Sequence, residues 1–358
     1  MLSNNKENHS PYNGTFDSFE NDEVQGRYPM YAVSDKKDIG DVVVAHQDDN
    51  LLKGLDGSFG AVFSGVFYSM CDDEEKKASE VEEGESDEDN GVQVVIKKPL
   101  ITDESRGAEY DLAWEMMLYG KLSSDYVVKM LGYISFSDGL FGMVTEYCNQ
   151  KDLFDWISHN TESELGIRLS ILKNLSNGLR YIHDHNIAHR DFKTTNIFIH
   201  EVGGVLIPKI GDFGLAFELS ENGKWIMARR SSERYGFCVD AETIVGDENP
   251  DQPNDIASFA LIILAIVFRR PDLSEISKSL CRLYRNGEVE KKHFTPKKTM
   301  STYLKYASKG CEKYHFEESG LFQLFRSCLA PREDRYDAAW VQDTMEEMTP
   351  ETALVISS

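Results

Sequence analysis

The sequence predicts an α+β protein, with strands gathered in its first half and helices in its second. Three observations carry this expectation. Runs rich in β-branched and aromatic residues stand at 61–68, 92–98 and 141–147, each of strand length. Leu165, Leu169, Leu172, Leu175, Leu179 and Ile182 recur at helical spacing, a stripe that belongs to a core rather than to a site. Ile256–Phe268 is apolar apart from Ser258 and is bounded by Asp255 and Arg269. It is shorter than the roughly 20 residues that cross a bilayer, so it reads as a buried helix.

The 358 residues, 41% hydrophobic and 28% charged, suffice for one large domain or two smaller ones with tails. A formal net charge of -23, from 61 acidic and 38 basic residues, argues against general binding to nucleic acid or to anionic membranes, which demand a basic face. Basic peptides suit it better. The six cysteines, at 71, 148, 238, 281, 311 and 328, form no Cys-x-x-Cys pair, which suggests neither a disulfide framework nor a zinc site. With no apolar signal at the N-terminus, the expected location is intracellular and cytoplasmic, and the nucleus is compatible.

Taken in order, residues 1–45 are polar and acidic without a sustained period and read as a disordered tail. Lys6-Glu7-Asn8, with Pro11 after it, resembles the KEN signal read by the anaphase-promoting ubiquitin ligase, a three-residue match that chance also supplies. From Leu51 a strand is expected to enter a tight turn at Gly57 and Gly60 and to leave as Ala61–Tyr68. Such a turn can fold over phosphates, though hairpins carry glycines without any ligand. Residues 70–91 form an acidic insert, with eleven Asp or Glu between Asp72 and Asp89. Ser79 and Ser86 each have an acidic residue three positions on, so this solvated loop is either a phosphorylation target or merely solubilising.

The chain returns as the strand Val92–Lys98, where Lys97 ends an apolar run. A helix over 108–122 follows, bearing Glu109 and Glu115. Either could pair with the lysine across a cleft and leave its ammonium able to hold phosphates. A strand over 141–147, a connector at 148–151 and a helix starting at 153 lead to the stripe of 165–185. Then comes the densest chemistry of the chain, Asp191, Lys193 and Asn196, between apolar residues on both sides. A carboxylate that can accept a hydroxyl proton, an amide that can ligate a hard metal and a cation between them make a phosphoryl-transfer set. Alone, the set could be a polar loop between two strands. Ile207–Ile210 is a short strand leading to Asp212 beside Phe213 and Gly214, and an aspartate there can reach phosphate-bound magnesium. From Leu261 onward the pattern is helical.

In this order the pieces resemble the eukaryotic protein kinase family, serine/threonine type, over roughly 48–347. The resemblance rests on the glycine turn, Lys97, Glu115, His189-Arg190-Asp191 with Lys193 and Asn196, Asp212-Phe213-Gly214, Asp255 and Arg335. It implies a bilobal fold: an antiparallel five-stranded N-lobe with one main helix over 46–147, a mainly α-helical C-lobe over 148–348, and a short tail at 349–358. ATP and Mg2+ would be the cofactors and a protein with a Ser/Thr acceptor the substrate. The family pattern makes Asp191 the catalytic base, with Lys193 and Asn196 beside it, and Asn196 and Asp212 the metal ligands. Leu55, Gly57, Ser58 and Gly60 would cover the nucleotide, with Lys97 held by Glu115 on its phosphates. Val62 and Val95 form the adenine roof, Phe198 the floor, Thr145 the gatekeeper, and Glu146 with Cys148 the hinge. Ile187–Lys193, Asp212–Ala216 and Arg234-Tyr235 are similar to type II activin/TGF-β receptor kinase domains.

Three departures stand out. Leu55 replaces the first loop glycine, Val95 replaces an alanine of the adenine pocket, and Gly236-Phe237-Cys238-Val239 stands where Met-Ala-Pro-Glu belongs. The carboxylate expected to meet Arg335 must then be Asp240 or Glu242. Ser220, Ser231, Ser232 and Thr243 are candidate phosphate acceptors, with Arg190 as the residue that would read the phosphate. The alternative to an active enzyme is a pseudokinase scaffold, suggested by Leu55, the altered tripeptide and the insert.

Overall fold

The structure is a computed structural model that describes residues 42–43, 61–67, 92–99, 108–136, 139–219, 237–246, 251–309 and 315–354. Lys6-Glu7-Asn8, Leu55, Gly57, Ser58, Gly60, the insert at 70–91, Ser220, Ser231, Ser232, Arg234 and Tyr235 lie outside these residues.

The N-terminal part is an antiparallel sheet of β1 (Val42–Val43), β2 (Ala61–Phe67), β3 (Val92–Lys98), β4 (Met130–Ser135) and β5 (Phe141–Glu146), in the order β1-β2-β3-β5-β4. Alternation along β3 sorts its side chains. Val94 and Ile96 are fully buried and join Ile134 and Val144 in one apolar cluster, so Val95 and Lys97 turn to the opposite face. Strand β1 falls inside the stretch read from composition as tail. Its residues belong to a run of three β-branched valines, which favour an extended backbone, and they pair with the far end of β2 (Val42 opposite Phe67). The strand expected from Leu51 lies outside the described residues. Strand β4 has no counterpart in the sequence reading, because its Gly132 and Tyr133 break the apolar run.

Helix α1 (Ala108–Gly120) packs against the turn Phe213–Leu215. The Trp114 indole donates to the Ala216 carbonyl at 2.9 Å, and the Tyr119 and Phe213 rings meet edge-on at 5.0 Å. After α2 (Leu153–His159), helix α3 (Leu165–Asp184) buries Leu169, Leu172, Leu175, Leu179 and Ile182. Two short ladders follow, β6 (Ile187–Ala188) with β9 (Phe217–Glu218) and β7 (Ile197–Val202) with β8 (Val205–Ile210).

The remainder is helical: α4 (Ala241–Ile244), α5 (Gln252–Phe268), α6 (Leu273–Arg285), α7 (Pro296–Ala307), α8 (Gly320–Cys328), α9 (Ala338–Glu347) and α10 (Pro350–Ala353). Every residue of α5 from Asn254 to Phe268 is buried, and α6, α7 and α8 pack around it. The expected buried helix is therefore the axis of this half. Among the described residues no helix is long and apolar enough to cross a membrane.

The chain closes on an ion pair that the altered tripeptide left in question. Asp240 Oδ2 lies 2.6 Å from Arg335 Nη1 and 3.3 Å from Arg332 Nε. Arg332 also bridges to Asp251 at 2.8 Å, while Glu242 stands farther from Arg335, at 3.8 Å. Both Asp240 and Arg335 side chains are 1% exposed. The other oxygen of Asp240 caps α4, accepting from the Thr243 amide and hydroxyl, each at 2.7 Å. Thr243 is thereby corrected as a phosphate acceptor. Its hydroxyl is buried and bonded also to Asn254 at 3.0 Å.

Burial opposes the Asp240 charge, but Arg335 and Arg332 outweigh it and hold the carboxyl below its usual range. A group depressed in this way contributes stability above its unfolded pKa and loses it as pH falls through the folded value. Asp240→Asn leaves Arg335 without its closest carboxylate, and a loss of roughly 3–5 kcal/mol is expected in urea unfolding near pH 7. The gap between variant and wild type should shrink as pH falls through the carboxylate range.

Candidate active site

The loop His189–Lys193 hangs between two ladders, β6–β9 before it and β7–β8 after it. Its shape is set from below by Asp255, on the first turn of α5. This carboxylate is fully buried and accepts from the backbone amides of His189 at 2.7 Å and Arg190 at 2.8 Å, with the His183 ring nitrogen at 3.1 Å. Arg190 adopts a left-handed backbone, φ 65°, which costs about 1–2 kcal/mol for a residue with a Cβ. Asp255 offsets that cost at the same residue. His189 Nε2 lies 3.0 Å from the Gly211 carbonyl, which can only accept, so Nε2 carries the proton. Nδ1 then accepts from the Asp191 amide at 3.3 Å.

Asp191 is held by its own loop. Lys193 Nζ lies 2.9 and 2.7 Å from its two oxygens, and Asn196 Nδ2 donates to both its carbonyl and its Oδ2 at 2.9 Å. Because Asn196 spends its amide nitrogen on Asp191, its Oδ1 keeps its lone pairs for another partner. The Arg190 guanidinium sits over the Phe217 ring at 4.3 Å and donates to the Leu215 carbonyl at 3.3 Å.

Above the loop stands a second ionic group. Lys97 Nζ is 2.8 Å from Glu115 Oε2 and 2.8 Å from Asp212 Oδ1. Glu109, six residues before Glu115, is nearly two helical turns away. Burial works against the lysine charge, yet Asp212 and then Glu115 outweigh it and hold the ammonium above the usual lysine range. For Asp212 burial is again the larger single effect, overcome by Lys97, so its carboxyl lies below its usual range. Asp212 has φ 59°, ψ 67°, and its amide donates to the Tyr119 hydroxyl at 3.1 Å. Gly214 makes room for the trio: a Cβ there would stand 3.2 Å from Asp212 Oδ1 and 3.4 Å from Glu115 Oε2.

Around this group the sheet register fixes the neighbours. Val62 lies opposite Lys97, and Val95 opposite Thr145. Phe198, half-buried on β7, is crowded by Gly211, where a Cβ would fall 2.9 Å from its ring. The Glu146 side chain pairs with Lys209 at 3.0 Å and accepts from the Lys129 amide at 2.7 Å. Cys148 is buried, and burial followed by Glu146 pushes its thiol up to about 12.

The residues that could hold a divalent cation are Asn196 and Asp212, both hard oxygen donors. Among the described residues no cluster of three or more His, Cys, Asp or Glu has metal-binding geometry. Two protein donors suit magnesium, which keeps waters and takes substrate phosphates to complete its shell. The donor set fits the ion for that reason. Lys209 is not singled out by the sequence, although it too stands in an apolar strand, as Lys97 stands at the end of an apolar run. Nor could the sequence single out Tyr119 and His183, since a tyrosine or histidine on a helix has no distinguishing neighbours.

Residues 77–338, more than half of the chain, match the family model described as the protein kinase domain. The chain is 27% identical to the Raf homolog serine/threonine-protein kinase of Caenorhabditis elegans, over 69% of this chain and 29% of that protein. It is 25% identical to the L-type lectin-domain containing receptor kinase VII.1 of Arabidopsis thaliana, over 55% and 29%. With serine/threonine-protein kinase ppk16 of Schizosaccharomyces pombe it shares 24% over 62% and 32%. The chain spans about a third or less of each of these curated relatives.

Removing the cation between the two carboxylates tests the geometry directly. In Lys97→Met the Asp212 carboxyl should titrate at a higher pH than in the wild type, followed by carbon-detected NMR of labelled aspartate. An unchanged titration would show that Lys97 is not what holds it down.

Proposed function

The chain belongs to the protein kinase family, and from that premise we propose that it is a serine/threonine protein kinase moving the terminal phosphate of ATP to protein hydroxyls. The observation that carries this reading is the orientation of Asp191. Its carboxylate is fixed from two sides by Lys193 and Asn196, a short distance from the trio Lys97, Glu115 and Asp212. These bonds support the enzyme reading over the scaffold, because a chain that only scaffolds partners has no need of an oriented carboxylate.

In this reading Asp191 accepts the proton of the substrate hydroxyl as it attacks. Lys193, already against Asp191, adds positive charge where the transferred group passes. Lys97 holds the phosphates that precede the transferred one, its direction set by Glu115. Asn196 Oδ1 and the Asp212 carboxylate would hold magnesium, which supplies charge neutralisation at the phosphates. Leu55, Gly57, Ser58 and Gly60 would form the cover, with Val62, Val95, Thr145, Glu146, Cys148 and Phe198 around the base. Lys193 two residues after Asp191 supports the serine/threonine type. The likeness to type II activin/TGF-β receptor domains rests on short runs, of which Arg234 and Tyr235 lie outside the described residues. Protein substrates without nucleic acid fit the net charge, a cytoplasmic setting fits the dispersed cysteines, and Lys6-Glu7-Asn8 remains a candidate contact for a ubiquitin ligase.

The test is phosphate incorporation by the full chain with Mg-ATP, alone and on a generic basic protein. Asp191→Asn should lower it about 100-fold or more. Equal incorporation by both proteins would remove the enzyme reading. Thermal stabilisation by Mg-ATP with no turnover, whatever the activation treatment, would select the scaffold. A second measurement isolates the metal role: Asn196→Ala should raise the magnesium concentration needed for half-maximal incorporation.

A further inference from the structure

Residues 237–239 depart from the family tripeptide, and they are pinned from four directions. The Phe237 amide donates to the Arg190 carbonyl at 2.6 Å, and the Phe237 carbonyl accepts from Asn254 at 2.7 Å. The Val239 amide donates to Asn254 Oδ1 at 3.0 Å, and its carbonyl accepts from the Tyr303 hydroxyl at 2.9 Å. Between them, the Cys238 carbonyl accepts from the Ser277 hydroxyl and, at 3.8 Å, from the Cys281 thiol. Ser277 and Cys281 stand one turn apart on the same face of α6.

Cys238 and Cys281 form a small cluster of their own with Ile244, flanked by Leu280, Tyr284 and Phe294. The Cys281 sulfur thus stands against the main chain of Cys238 inside one apolar cluster. We infer that Cys238 and Cys281 are a redox pair that closes to a reversible disulfide under peroxide, tying the segment beside the catalytic loop to helix α6.

The chemistry distinguishes the two sulfurs. The Cys238 thiol beside it, assisted by Arg285, holds Cys281 below the usual thiol range, whereas the nearby Cys281 and burial push Cys238 above it. Cys281 is therefore the attacking sulfur, since the thiolate is the nucleophile. It is 8% exposed against 4% for Cys238, and its neighbour Leu280 lines a groove of about 350 Å³ together with Phe294 and Val289.

The Cys281 thiolate attacks one peroxide oxygen, the O–O bond breaks, and Cys281 becomes a sulfenic acid while hydroxide leaves and takes up a proton. Cys238 sulfur then attacks Cys281 sulfur, the S–O bond breaks, and the second water departs with the Cys238 proton. Two thiols and one peroxide give one disulfide and two waters. A small thiol reverses it by exchange. The remaining described cysteines, Cys148 and Cys328, are buried with thiols pushed up to about 12, and neither lies in this cluster.

The experiment is peptide mapping of the folded full chain after hydrogen peroxide, digested without reductant. Trypsin leaves Cys238 on the peptide 235–269 and Cys281 on 279–282. These two are expected as one cross-linked species, 2 Da lighter than their sum as befits loss of two hydrogens, that dithiothreitol separates. Both thiols still open to alkylation after peroxide, Cys281 found only as sulfinic or sulfonic acid, or either cysteine linked elsewhere would each overturn the pair. Cys281→Ala should leave Cys238 reduced under the same treatment. The result is read on the wild-type chain, so a variant that misfolds does not hide it, and it does not depend on phosphate transfer.

Discussion

One buried carboxylate holds the working parts of this fold in place. Asp255 is enclosed at the start of α5, and its two oxygens grip the backbone amides of His189 and Arg190. Charge-assisted bonds to two consecutive amides fix a backbone direction, not only a position. The left-handed turn at Arg190 and the outward path of Asp191 follow from that grip. Because α5 is buried along nearly its whole length, the carboxylate cannot shift without moving the core, and the loop inherits that rigidity.

The two ionic groups above it solve the same problem by different means. Lys97 and Glu115 are charges in poor contact with water, whereas the Asp212 side chain is 32% exposed, and the buried pair is tolerable because each charge offsets the other. Gly214 lets them approach. Asp191, Lys193 and Asn196 are ordered by a six-residue span of chain. The first group thus depends on β3, α1 and the Phe213 turn meeting correctly, whereas the second is local. A lesion in the N-terminal sheet should displace Lys97 sooner than it displaces Asp191.

Much of this was legible in the sequence. The apolar run of β3 pointed to Lys97, which ends it, and the leucine stripe placed α3 against the core. Asp191, Lys193 and Asn196 were visible because they are close in sequence. Interactions made across long separations were not. Nothing in the run Ile207–Ile210 says that Lys209 meets Glu146, and Thr243 looked like an acceptor because its burial is a property of Asp240 and Asn254. Strand β1 was hidden for the opposite reason: two residues are too few to show a period, and only pairing with β2 makes them a strand.

The closing ion pair carries a lesson about recognition by pattern. Arg335 needs a carboxylate within reach in a dry place, and Asp240 provides one from a position where the family's tripeptide offers none. The same residue begins a helix, so one side chain performs two tasks that a glutamate in the usual place would leave to separate residues. A text search for Ala-Pro-Glu would pass over chains built this way. A search for an acid that both starts a short helix and faces a late arginine would retrieve them, because what this fold uses is the place of a charge and not the letters around it.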